Sequence, residues 1–276
     1  MFHITLDSHQ EAMILYKYLH ERLGSTVALS LTEETVHIGD KAEHNEISVK
    51  ETIIELFIDY LIDVWEPKWL AAILKNAFFY HEETERQDII AIAKSIFDGQ
   101  KRDLPATDTL PSRREVLHNA IEALFMETDH FNIEALATFR LNAYFDCLNR
   151  YVEIAIDEYK LEQDYSFFID KLRRIVRSYK PLRTTIYAVD QGTFQLYDET
   201  FKPINNIQSV RSFYPLLKQW GIEAEPSILL TLVGLAPLKI HMFTDRREDS
   251  MIQTLQKVFE ERVVFHRSAE AHKIHL

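Results

Sequence analysis

The densest chemistry-bearing run in the chain is basic. Lys171, Arg173, Arg174, Arg177, Lys180 and Arg183 fall in a stretch from 171 to 183 that holds no acidic side chain. At helical spacing Arg173, Arg177 and Lys180 share one face. Guanidinium forks so placed suit an anion, a nucleic-acid backbone or an acidic partner. The same cations also suit a solvated face at a helix C-terminus, where the macrodipole favours each by about 0.3–1 kcal/mol. Histidine is plentiful, at 12. His81-Glu82-Glu83-Thr84-Glu85 begins like a zincin helix, but Glu85 stands where the second histidine ligand belongs. His272 and His275 have H-x-x-H spacing at a chain end, where side chains are seldom held still. No metal site and no cofactor are expected from these patterns.

Three other groups could do chemistry. Asp157, Glu158 and Glu162 cluster, and paired carboxylates do acid–base work when their surroundings split their pKa values. Here they alternate with Arg150 and Lys160, which favours a solvated charged face. Trp65-Glu66-Pro67-Lys68-Trp69 places two indoles around an expected corner between helices, as a ligand-facing ledge or as core packing, with packing preferred between two apolar helices. Cys147 is the single cysteine, so no intrachain disulfide and no two-cysteine zinc site can form. It sits in an apolar helical pattern and reads as a small buried hydrophobe.

Composition narrows the chemistry further. Of the 276 residues only 6 are glycine, and no two lie closer than 13 residues apart. Phosphate-cradling loops need paired glycines, because the backbone must approach the anion without a Cβ in the way. The dinucleotide fingerprint, the P-loop, the kinase glycine loop and the nucleophile elbow are all absent. The formal net charge is -12, with residues 1–100 at -10, 101–200 at -4 and 201–276 at +2. Such a chain repels nucleic acid and anionic lipid except through the basic cluster 171–183. The longest apolar stretch, Ile228 to Leu238, is broken by Thr231 and Pro237 and falls short of the roughly 20 residues a membrane span needs. Met1 leads straight into a charged amphipathic segment, so a cytoplasmic location is expected.

These side chains must be positioned by elements that the periodicity outlines. Phe2–Leu6 alternates as a strand. Ser8 and Glu11 then form a capping box for a helix through Leu23, closed by Gly24. Thr26–Leu31 and Thr35–Ile38 read as strands. Ser48 and Glu51 make a second capping box before a helix that is apolar on most sides to Trp65, and Pro67 opens the next helix. A further helix stops near Gly99, and Ser112 with Glu115 starts another. Asn132 to about Gln163 reads as one long helix, followed by a separate helix to Tyr179. Beyond Arg183 the period changes. Thr185–Val189 and Thr193–Tyr197 flank a hairpin turn at Asp190-Gln191-Gly192. A short helical piece ends at Gly221, and Pro226 opens an apolar stretch to Leu235. Leu238–Phe243 reads as a strand, Asp245 and Glu248 cap a helix through Phe259, and Arg262–His266 is a last strand.

The expected fold class is therefore α+β and predominantly helical, a central helical bundle with small β-containing segments at the N- and C-terminal ends. Its expected divisions are a β-α-β-β segment at 1–47, a helical region at 48–98, a linker at 99–111, a long-helix region at 112–182 and an α/β segment at 183–276. Whether the β segments at the two ends share one sheet stays open.

Four runs carry a resemblance: Phe139-Arg-Leu-Asn-Ala-Tyr144, Asp157-Glu-Tyr159, Leu232-Val-Gly-Leu-Ala-Pro237 and Thr254-Leu-Gln-Lys-Val-Phe-Glu-Glu-Arg-Val263. With them, and in the order and length of its segments, the chain resembles the YtxC family of sporulation proteins. The resemblance implies an endospore-forming bacterium and a link to sporulation, and it brings no catalytic residues. The leading expectation is a non-enzymatic interaction protein with a protein partner. The alternatives are an enzyme with an unrecognised site between the helical and C-terminal parts, and a nucleic-acid or polyanion binder using the basic cluster 171–183.

Overall fold

The computed structural model describes residues 1–24, 27–40, 46–101, 104, 110–190, 192–204 and 227–274. The chain divides into two compact units, Met1–Lys160 and Leu161–Leu276. The fold is α+β and mostly helical, with one small sheet near each chain end. The two ends form separate sheets.

In unit 1, strand β1 (Phe2–Thr5) leads to helix α1 (His9–Leu23). The serine half of the expected capping box forms, the Glu11 amide donating to the Ser8 hydroxyl, while the Glu11 carboxylate pairs with Lys68. Gly24 closes α1 at φ 56°, where any Cβ would be strained. Strands β2 (Val27–Thr32) and β3 (Thr35–Asp40) make a hairpin. The sheet order is β2-β3-β1-β4, with β1 antiparallel to β3 and parallel to β4 (His130–Asn132). Alternation along β1 buries Phe2 and Ile4 in the core of the unit and turns His3 and Thr5 the other way.

The chain is helical without interruption from α2 (Glu46–Tyr60) through a π-helical turn (Leu61–Trp65) into α3 (Glu66–Asn76). The expected corner at Pro67 is thus a widened turn. Proline has no N–H to donate, and its ring crowds the carbonyl one turn back; an i→i+5 turn gives it room. α2 begins ahead of Ser48, so the second expected cap is not the start of the helix. Helices α4 (Glu83–Phe97) and α5 (Arg113–Glu127) follow. Ser112 holds the N-cap position of α5, but its hydroxyl makes no capping bond.

The long helix differs from expectation in both directions. Helix α6 (Ile133–Phe139), capped by Asn132, stops after one short run, and α7 (Asn142–Ser178) then continues unbroken past Gln163. No proline or glycine marks the stop. The break lets Leu136, Leu141 and Tyr144 all reach the core. The boundary between the units falls inside α7.

Unit 2 holds the second half of α7 and a sheet of order β6-β5-β7-β8. Strands β5 (Thr185–Asp190) and β6 (Phe194–Tyr197) form the expected hairpin, while β7 (Lys239–Phe243) and β8 (Val263–His266) add in parallel. Helix α8 (Ile228–Leu235) is apolar all round and almost wholly buried. Helix α9 (Ser250–Phe259) is capped by Asp249, four residues beyond the expected cap Asp245. Asp245 instead accepts from the Ser268 amide. The core joins Leu172, Ile175 and Val176 of α7 to Ile186, Ile240 and Met242 of the sheet. Most of the 99–111 linker, the helical piece ending at Gly221, Pro226 and His275 lie outside the described residues.

Candidate functional site: a buried carboxylate and an indole-lined groove

The π-turn sets the geometry of unit 1's most polar interior. It places Glu66 on the same buried face as Leu70 and Leu74, at helical spacing. Glu66 is only 2% exposed. Its carboxylate accepts from the Arg113 guanidinium at 3.1 Å and, through a short bond, from the Tyr144 hydroxyl. Burial pushes the Glu66 pKa up, opposed by Arg113 and Tyr144. Burial and the neighbouring carboxylate likewise raise Tyr144. The three residues tie α3 to α5 and α7. Arg113 also lies over the Phe97 ring at 4.3 Å.

On one side of this network is a polar hollow of about 420 Å³ bordered by Asp59, Asp63, Arg113, Arg114 and Tyr151. Its second cation is committed: Arg114 bonds Asp59 at 2.6 Å and Glu55 at 2.5 Å. Cys147 is buried, its thiol raised by desolvation and directed to the Pro111 carbonyl at 3.6 Å. An uncharged thiol so placed is a poor nucleophile.

Also bordered by α3 is a groove of about 800 Å³, walled by α3, α6 and α7. Trp65, Trp69, Ala72 and Ile73 line it from the π-turn and α3, and Phe145 and Asn149 from α7. The two indoles lie 5.9 Å apart, and Phe145 meets Trp69 edge-on at 5.3 Å. Trp65 donates to the Tyr60 hydroxyl at 3.2 Å, and burial pushes Tyr60 up to about 12. Trp65 is therefore packed, while Trp69 is half-buried and borders open space. Lys68 pairs with Glu11 at 2.9 Å and lies 4.3 Å over the Trp65 ring. Glu134 of α6 completes the groove mouth.

The sequence-derived candidates are distributed otherwise. The basic run lies on the C-terminal part of α7 and just beyond it, in unit 2, and much of it is engaged. Arg173 donates to the Lys257 carbonyl at 2.7 Å and contacts Asp170 and Glu260. Arg177 pairs with Glu260 at 2.7 Å. Arg183 meets Glu199 at 3.4 Å and Asp198 at 3.8 Å. Lys171 lies over Phe167 at 4.9 Å. Arg174 and Lys180 are exposed and make no ion pair among the described residues. His81 is exposed, and Glu158 pairs with Lys101 at 2.7 Å.

The Glu66–Arg113–Tyr144 network is not among the sites expected from the sequence. The available signal was an acidic residue between two tryptophans on an apolar helix; its partners, 47 and 78 residues away, carry no local mark.

Fold and site together define a two-unit α+β protein whose N-terminal unit carries an indole-lined groove beside a buried ion pair. The chain belongs to the YtxC-like family, whose model matches residues 51–264. A relative from Bacillus subtilis (strain 168), "Uncharacterized protein YtxC", is 26% identical over 259 residues, covering 93% of this chain and 90% of the relative. No solved structure matches the chain. The family match takes in Glu66, Arg113, Tyr144 and every residue lining the groove.

Proposed function

We propose that this is a cytoplasmic, sporulation-associated protein with a non-enzymatic binding role, and that its binding surface is the groove of unit 1. The groove carries this reading. It combines an open, mostly apolar lining, led by Trp69 and Phe145, with polar groups from Lys68, Asn76, Glu134, Thr138 and Asn149, the mixture typical of binding sites. The buried Glu66 network supports it by fixing the three helices that form the walls. The sporulation setting rests on the resemblance to the YtxC family. The carboxylates on Arg173, Arg177 and Arg183 weigh against a polyanion role for the basic run, because a polyanion would have to displace them.

The test is affinity recovery from sporulating cells with three baits: wild type, Ala72→Trp, and a triple alanine variant at Arg173, Arg174 and Arg177. Ala72 is exposed in the groove, so the indole fills space without disturbing the core. The expected result is a partner held by wild type and the triple variant and lost by Ala72→Trp, with matching loss of complementation of a sporulation defect. Loss with the triple variant alone would move the surface to unit 2 and overturn the reading.

A further inference from the structure

We infer that the groove of unit 1 receives a basic amphipathic helix of a protein partner, an inference that rests on the binding role proposed above. The length of the groove suits a helix. Lining residues along α3 run from Trp65 to Asn76, three helical turns or about 16 Å. That matches the apolar stripe of a docked helix anchored at i, i+4, i+7 and i+11.

The charge at the groove suits a basic partner. The mouth of the groove holds Glu134, with Asp7 and Glu11 close by. Asp7 and Glu134 lie within hydrogen-bonding reach of one another, and this crowding raises the proton affinity of Glu134. Lys68, the one cation among the described lining residues, is already tied to Glu11 and stacked on Trp65. The mouth therefore keeps a surplus of negative charge that a lysine or arginine on the partner's polar face would relieve. The whole unit points the same way: residues 1–160 hold 29 acidic and 15 basic side chains.

Phe79 stands just past the end of α3. It lies two residues beyond the lining residue Ala77, where α3 unwinds, and it is 73% exposed with φ 61°. The Phe78 amide donates to Ile73 and the Tyr80 amide to Leu74, which closes the turn around it. Glycine or asparagine is the usual occupant of such a position. A phenylalanine here exposes a large apolar ring just past the end of α3 at a cost in backbone energy, and strain of this kind gathers at ligand clamps. The inference gives Phe79 that role against the docked helix.

The experiment titrates the full chain with synthetic peptides of about 18 residues, long enough to hold helix in water. One has a leucine stripe and lysines elsewhere. The second replaces lysine by glutamate, and the third replaces leucine by serine. Calorimetry is expected to show the leucine/lysine peptide binding about tenfold or more tighter than either control. Ala72→Trp, which leaves the charge unchanged, should abolish binding. Glu134→Gln should weaken it several-fold and reduce its dependence on salt. Phe79→Gly should weaken binding while the chain unfolds no earlier than wild type, a combination that a purely structural Phe79 would not produce. Equal binding to Ala72→Trp, or equal binding of the glutamate peptide, would overturn the inference. If no peptide binds while Ala72→Trp still loses the cellular partner, the helical occupant is wrong and the groove reading stands.

Discussion

Each unit buries a carboxylate against an arginine, and the two carboxylates titrate in opposite directions. In unit 1, Glu66 accepts two hydrogen bonds among aromatic side chains, and desolvation outweighs its partners, so its pKa rises. In unit 2 the Asp190 side chain is 3% exposed, yet Arg246, 52% exposed, grips it with two parallel bonds of 2.6 and 3.0 Å. Thr244 and the Gly192 amide add two more, and the Asp190 pKa falls. Depth and donors set the sign together. Glu66 lies deep in its unit, where desolvation leads, whereas Asp190 lies shallower, and its donors, Arg246 first, outweigh a smaller desolvation. Glu66 is a costly group that holds helices in place beside a binding groove, whereas Asp190 is a stabilising staple at the end of a hairpin.

Breaking the larger of the two tests the contrast hardest. Glu66→Ala leaves Arg113 and Tyr144 without their acceptor and is expected to cost about 3 kcal/mol. Hydrogen exchange should show the loss across α3, α5 and the first half of α7 and leave unit 2 protected. Glu66→Gln keeps an acceptor and sheds the buried charge, so it should recover most of that stability. Asp190→Asn keeps the shape of the staple but loses its charge, and should cost about 1–2 kcal/mol, confined to unit 2. Equal losses for Glu66→Gln and Asp190→Asn would contradict the assignment of opposite roles.

The pH dependence sharpens the same comparison. A carboxyl whose folded pKa is raised costs stability once the pH exceeds its unfolded value. Wild type should therefore gain on Glu66→Gln as pH falls from the raised Glu66 value toward 4.5. Asp190 behaves in the opposite sense: its contribution is present above about 3.8 and is lost as pH falls through its lowered folded value. The gap between wild type and Asp190→Asn should hold through the mildly acidic range and close only below 3.8. Urea unfolding at stepped pH measures both. The smallest effect is expected at the surface. Arg177→Ala removes a solvent-exposed pair with Glu260 and should leave the unfolding midpoint unchanged within error.

Much of the fold was legible because its signals are local. Ser8 with Glu11, Gly24 and the Asp190–Gly192 turn each act within a few residues, and each occupies the expected place. Strand β4 was not legible, because three residues give no period and its partner β1 is 127 residues away. The break between α6 and α7 was hidden for a related reason: tertiary burial of Leu136 and Leu141 sets it, and no breaker residue marks it. The basic run was visible as charge, but the run itself says nothing of Glu260, Glu199 or Asp198, which come from distant segments to neutralise it.

The amino-acid sequence by itself determined the α+β class, the acidic balance of unit 1 and the exclusion of glycine-rich phosphate loops, because composition, period and capping act over short range. Only the tertiary structure decided that Pro67 sits beside a π-turn, that Glu66 meets Arg113 and Tyr144, and that Trp69 faces a groove. Those outcomes depend on which helices pack together, and the free energy of packing comes from contacts between residues far apart in the chain.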